Sequence, residues 1–165
     1  MGCSAYYFAY GSNMHVGRLR ARASSVEPIE AACLPDHTVR FNKRGRDDSG
    51  KCNVMMQSGG RVYGVVYRIA SEQRSILDRA EGPGYIRKSL IVRGLAGGRS
   101  YRVFLYLAKA LSIDDDLRPY DWYRQLVVTG AEQHGLPPAY ISDLRYVPVC
   151  SDPNGRRSRA IFNIM

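Results

Sequence analysis

The sequence predicts a single α+β domain built around a partly closed sheet. Short aromatic and apolar runs are punctuated by glycine-bearing turns, as β-strands are. One run, Val62-Tyr63-Gly64-Val65-Val66-Tyr67, is apolar on both faces, which places it inside a sheet or a closed barrel. Helical segments at 71–81, 120–134 and 138–145 stand beside the strand-like runs. With 165 residues, 45% of them hydrophobic and 24% charged, the chain is long enough to bury one core without disulfides. Residues 1–150 read as that domain and 151–165 as a basic C-terminal tail.

In chain order, residues 5–10 (Ala-Tyr-Tyr-Phe-Ala-Tyr) form a buried strand that runs into the turn Gly11-Ser12-Asn13. Residues 15–22 make a short basic helix, and 37–43 alternate loosely as a strand. Arg44 to Gly50 is a charged loop, and 53–57 a brief apolar strand. Ser58-Gly59-Gly60 reads as a hairpin turn into the strand at 61–69. Ser71 is placed to cap the 71–81 helix, which Gly82-Pro83-Gly84 terminates. Strands follow at 85–93 and 100–108, then a loop opened by Asp114-Asp115-Asp116, then the last two helices around Gly135-Leu136-Pro137.

No run approaches the roughly 18 consecutive apolar residues that a spanning helix needs, so no membrane partner is expected. The opening residues lack the charged start and apolar core of a signal peptide, and Tyr6 stands where a myristoylation motif wants Ser or Thr. Cys3, Cys33, Cys52 and Cys150 are widely separated, and His15, His37 and His134 form no ligand pair, so no metal is expected. Free thiols without an export signal point to the cytoplasm. A net charge of +9 invites a nucleic-acid-binding reading, supported by Arg18, Arg20 and Arg22, by Arg40 to Lys51, and by the tail. The charges are dispersed, and the aromatics lie within apolar strands instead of alternating with Lys and Arg, so no nucleic-acid partner is expected.

Three features carry chemistry. Glu81 falls four residues after Leu77, so a helix bearing Ile76, Leu77 and Ala80 on its buried stripe brings its carboxylate to the apolar side. Burial and the negative helix C-terminus both raise a carboxyl pKa, which suits a general acid/base. In the alternative arrangement the helix frays, and Glu81 meets water, Arg79 or Arg87. Gly11-Ser12-Asn13 offers successive N–H groups to an anion or a polarised carbonyl, though the same residues make an ordinary turn. Of twelve tyrosines, Tyr85 and Tyr123 fall near chain breaks, where a neutral hydroxyl can face a ligand.

Together, Tyr7-Phe8-Ala9-Tyr10-Gly11-Ser12-Asn13-Met14, the Val62–Tyr67 strand, Leu77-Asp78-x-x-Glu81-Gly82 with Tyr85, and Trp122-Tyr123 with Gly130-Ala131-Glu132-Gln133-His134-Gly135-Leu136-Pro137-Pro138-Ala139-Tyr140 resemble the γ-glutamylcyclotransferases. The order and spacing agree over residues 5–148. Met14 in place of Leu, His134 in place of Asn and the short Gly82-Pro83-Gly84 link depart from the pattern. The resemblance implies a cyclotransferase-type fold, a small mixed β-barrel-like sheet flanked by helices. It implies a small-molecule γ-glutamyl substrate, no cofactor, and intramolecular attack of the substrate's α-amine on its γ-carbonyl to give 5-oxoproline. Glu81 is then the acid/base, Tyr10, Gly11, Ser12 and Asn13 cradle the γ-glutamyl group, and Tyr85 and Tyr123 line its pocket. The leaving amine is expected to meet the loops at 44–52 and 109–119 and the tail, and the fold is compatible with a homodimer. A family member that binds without turnover is the third reading.

Overall fold

The computed structural model describes residues 4–163, apart from the side chain of Phe162. Cys3 and the Met1–Ser4 start, apart from Ser4 itself, lie outside the described residues, as do Ile164 and Met165 of the tail. Five strands close into a barrel: β1 (Ser4–Ala9), β2 (Val26–Arg44), β3 (Gly50–Ala70), β4 (Tyr85–Gly94) and β5 (Ser100–Ala108). Their order is β1-β3-β2-β4-β5, and a parallel contact between Tyr7 of β1 and Phe104 of β5 completes the ring. Closure leaves no open sheet edge around the core. Phe8, Val62, Val65, Val66, Tyr67 and Leu105 are fully buried within it, as the doubly apolar Val62–Tyr67 run requires.

Two expectations are corrected in the long hairpin of β2 and β3. Residues 26–36 belong to β2, although Pro28 and Pro35 interrupt the strand pattern. Proline cannot donate to the ladder, and the pairing shifts register after each one, between Pro28 and Glu30 and between Pro35 and His37. Ser58-Gly59-Gly60 is not a chain reversal. It is a bulge within β3, where Asp36, at a positive φ of 56°, accepts a hydrogen bond of 2.9 Å from the Gly59 N–H. The reversal lies at Gly45 to Ser49, closed by a 2.8 Å bond from the Gly45 N–H to the Ser49 carbonyl.

The helices are α1 (Val16–Arg22), α2 (Gln73–Glu81), α3 (Asp121–Gln133), α4 (Pro138–Tyr146) and α5 (Gly155–Phe162). Ser71 does not cap α2: the helix begins two residues later with Glu72 at the cap position and no side-chain bond, and the Ser71 hydroxyl is buried without a partner. Of the expected stripe on α2, Leu77 is buried, Ile76 half-buried and Ala80 exposed. α3 presses Leu126, Val127 and Ala131 against the barrel and the 3-10 turn Ser12–Met14. His134, after α3, bonds the Met14 carbonyl at 3.0 Å and the Tyr67 hydroxyl at 2.9 Å, so it fastens that turn and lies outside the site. α5 occupies the stretch read as a polar tail. Its Arg157 makes two 2.6 Å bonds to the buried Asp152 carboxylate, which also accepts from the Trp122 indole N–H at 2.8 Å. No described helix is long and apolar enough to cross a membrane.

Candidate active site

β1 ends on buried Ala9, and the chain leaves the barrel through Tyr10 and Gly11 into the Ser12–Met14 turn. Gly11 permits this path: a Cβ there would lie 3.0 Å from the Cys52 Cβ and 3.4 Å from the Tyr123 hydroxyl. Ser12 and Asn13 present first-turn N–H groups, which have no partner inside a helix. Across from them α2 ends at Gly82, whose φ of 81° turns the chain away and leaves Glu81 facing the turn.

The Glu81 side chain is 15% exposed. Its Oε1 accepts from the Asn13 amide at 2.8 Å and from Arg22 at 3.0 Å. The same Arg22 nitrogen donates to the Asn13 Oδ1 at 2.9 Å, and the Asn13 amide also donates to the Tyr7 hydroxyl at 2.9 Å. The apolar surround expected of this carboxylate is therefore replaced by an amide and a guanidinium. Neither alternative partner holds either: Arg87 pairs with Asp78 at 2.8 Å, and Arg22 from α1 takes the place given to Arg79. Both bonds to Glu81 fall on Oε1, so Oε2 is the oxygen left to meet a ligand.

Tyr10, Gly11, Ser12, Asn13, Glu81, Tyr85 and Tyr123 come together around an inner pocket of about 30 Å³. The tyrosine hydroxyls are tied to backbone: Tyr10 donates to the Tyr106 carbonyl, and Tyr85 donates to the Cys52 carbonyl at 2.5 Å. Tyr123 accepts from the Cys52 N–H at 3.1 Å. Burial raises the pKa of all three hydroxyls, so they stay neutral at any working pH. Burial likewise pushes the Cys52 thiol up to about 12, which leaves it protonated and a poor nucleophile.

Through Ser12, Glu81, Tyr85 and Tyr123 the inner pocket opens into an outer cleft of about 320 Å³. Six cations line that cleft: Arg18, Arg22, Lys43, Arg46, Lys51 and Arg157. The expected loop at 44–52 supplies Gly45, Arg46, Asp47 and Lys51, and the tail supplies Arg157. Loop 109–119 does not reach it; Asp115 to Pro119 line a separate groove with Val39 and Phe41. Sequence reasoning missed Arg22 as the partner of Glu81, although Arg18 and Arg22 are spaced i,i+4 and so share one face of α1.

Residues 61–144 match the family model described as AIG2-like. The chain belongs to the AIG2-like family. Within this AIG2-like chain the matched stretch runs from β3 to α4 and includes Glu81, Tyr85 and Tyr123. Over its whole length the chain is 28% identical to the γ-glutamylcyclotransferase of Bos taurus, covering 99% of this sequence and 89% of that one. A solved γ-glutamyl cyclotransferase superposes with a TM-score of 0.89 at 25% identity, covering 98% of each chain. The crystal structure of YkqA from Bacillus subtilis superposes with a TM-score of 0.72 at 26% identity, and the match covers 89% of this chain and 56% of that one.

Proposed function

We propose that this AIG2-like protein is a γ-glutamylcyclotransferase, converting a γ-glutamyl amide into 5-oxoproline and the free amine. The observation that carries this reading is the position of Glu81. It is fixed through Oε1 by Asn13 and Arg22, and it stands where the inner pocket meets the outer cleft.

The γ-carbonyl end of the γ-glutamyl half enters the inner pocket, which at about 30 Å³ admits only a few atoms, and the rest lies in the outer cleft with its ammonium facing Glu81. Glu81 accepts one ammonium proton, and the freed amine attacks the γ-carbonyl carbon, forming the ring C–N bond. The carbonyl oxygen becomes an oxyanion, with the N–H groups of Ser12 and Asn13 as its donors. As the oxyanion collapses, the bond to the leaving nitrogen breaks and that nitrogen receives the proton from Glu81; the ring nitrogen then gives its second proton to the freed carboxylate, which passes it to the released amine, leaving 5-oxoproline and an ammonium. Acyl transfer within one molecule needs no protein nucleophile and gains from holding the substrate folded. That agrees with the protonated Cys52 and with hydroxyls engaged by backbone. The names of the full-length relatives support the same reading.

Incubation with a panel of γ-glutamyl dipeptides, read by 5-oxoproline release, tests it. Release that disappears in Glu81→Gln is the expected result. Absence of 5-oxoproline from every member, with binding retained, would instead identify a binding protein.

A further inference from the structure

The six cations of the outer cleft divide into two groups. Three are neutralised by this chain's own carboxylates: Arg22 by Glu81 at 3.0 Å, Lys51 by Asp47 at 2.9 Å and Arg157 by Asp152 at 2.6 Å. The other three, Arg18, Lys43 and Arg46, form no ion pair among the described residues. Lys43 is only 7% exposed, yet its Nζ has only the Tyr85 ring beneath it, 4.6 Å from the centroid. Arg18 spends its Nε on the Ser12 hydroxyl at 3.0 Å and keeps its remaining donors for the cleft. Burial pushes both Arg18 and Lys43 below their ordinary values, as it also does for the paired Lys51. Arg46 is exposed on the loop between β2 and β3, with a guanidinium nitrogen 3.0 Å from where a Gly82 Cβ would sit, so it flanks the end of α2.

Burying unmatched positive charge is unfavourable, and a site built this way is completed by an anionic ligand. The γ-glutamyl half carries one carboxylate and so matches one of the three. Two unpaired cations then remain in the outer cleft for the leaving group. We propose that the outer cleft selects leaving amines bearing two or more negative charges, as carboxylate or phosphate, received by Arg18, Lys43 and Arg46. The proposal rests on the cyclotransferase reading and names the substrate class of that site. It also gives α5 a role: Asp152 holds Arg157 on the cleft wall, where its charge adds to the attractive field without being the primary contact.

The test compares γ-glutamyl-alanine, γ-glutamyl-aspartate and γ-glutamyl-phosphoserine, which share an α-amine leaving group and differ in added charge. The expected kcat/KM rises by about tenfold for the added carboxylate or phosphate, the size of one charge-assisted contact. Whichever of the last two is preferred separates a carboxylate subsite from a phosphate one. Arg46→Glu, a change on an exposed loop, should narrow the ratio of anionic substrate to γ-glutamyl-alanine to near unity, and Lys43→Ala should narrow it also. A flat or inverted ranking with 5-oxoproline still released overturns this inference and leaves the cyclotransferase reading standing. If no substrate turns over, calorimetric titration of the same three compounds decides. Tighter binding of the charged pair upholds the charge preference while the activity fails, and equal binding overturns both.

Discussion

The inner pocket and the outer cleft meet at Glu81 but are built from opposite materials. The inner one is walled by tyrosines, with the Tyr10, Tyr85 and Tyr123 hydroxyls fixed to backbone, and its volume is about 30 Å³. The outer one is roughly ten times larger and lined by six cations, of which Arg46 is carried on a loop and Arg157 on α5. Walls of barrel strand and helix give shape selection with little freedom, whereas long cationic side chains give charge selection that tolerates varied ligands. On the proposed function, the difference separates two tasks, holding one common group in a reactive geometry and sorting what is attached to it.

Replacing Glu81 by Gln should break the comparison at its hinge. It keeps the hydrogen-bond shape but removes the base, and kcat should fall by about a thousandfold, within the range of general acid/base contributions. Turnover within tenfold of the parent would remove Glu81 from its role. Next in size, Asn13→Ala removes one of the two donors to Oε1 and the acceptor that orients Arg22, and should lower kcat by about a hundredfold, because misplacement of a catalytic group is that costly. An effect confined to KM would show that Asn13 contacts substrate without positioning Glu81.

Tyr123→Phe sharpens the view of the inner wall. It leaves the Cys52 N–H buried without an acceptor and should cost about 1–2 kcal/mol in chemical denaturation. Unchanged stability would mean that the hydroxyl serves substrate alone. Smaller still is the acid response of the outer wall. Burial works to raise the Asp47 pKa, but bonds from Lys51 and Ser49 outweigh it and hold the group below its ordinary value. A depressed folded-state pKa means that the stabilisation is complete above the ordinary carboxylate pKa of about 4 and is lost as pH falls through the lower folded value. Hydrogen exchange at residues 45–51 should therefore quicken below about pH 4 more than exchange in β5. Equal protection of the two segments would contradict the assignment.

Much of the inner region was legible in the sequence because it is local. Tyr10 to Asn13 and Glu81 sit at the ends of regular elements, where period and glycine mark the boundaries. The strands at 85–93 and 100–108 and the helices at 120–134 and 138–145 emerged within a residue or two for the same reason. The outer region was less legible. Arg22 reaches Glu81 across 59 positions of sequence, and only the closed barrel sets that distance. Pro28 and Pro35 hid half of β2, since their bulges spoil the alternation that identifies a strand. α5 carries few apolar residues, and besides Ile161 on the core it is held by the Asp152–Arg157–Trp122 contact, which no periodicity reveals.

In the proposed reaction the substrate closes on itself at Glu81. Its most direct test is the identity of the product formed from γ-glutamyl-aspartate, followed by mass spectrometry. 5-Oxoproline and aspartate are expected in equal amounts from the parent protein, and neither from Glu81→Gln. Release of free glutamate in place of 5-oxoproline would mean that water attacks instead of the α-amine, and would contradict it.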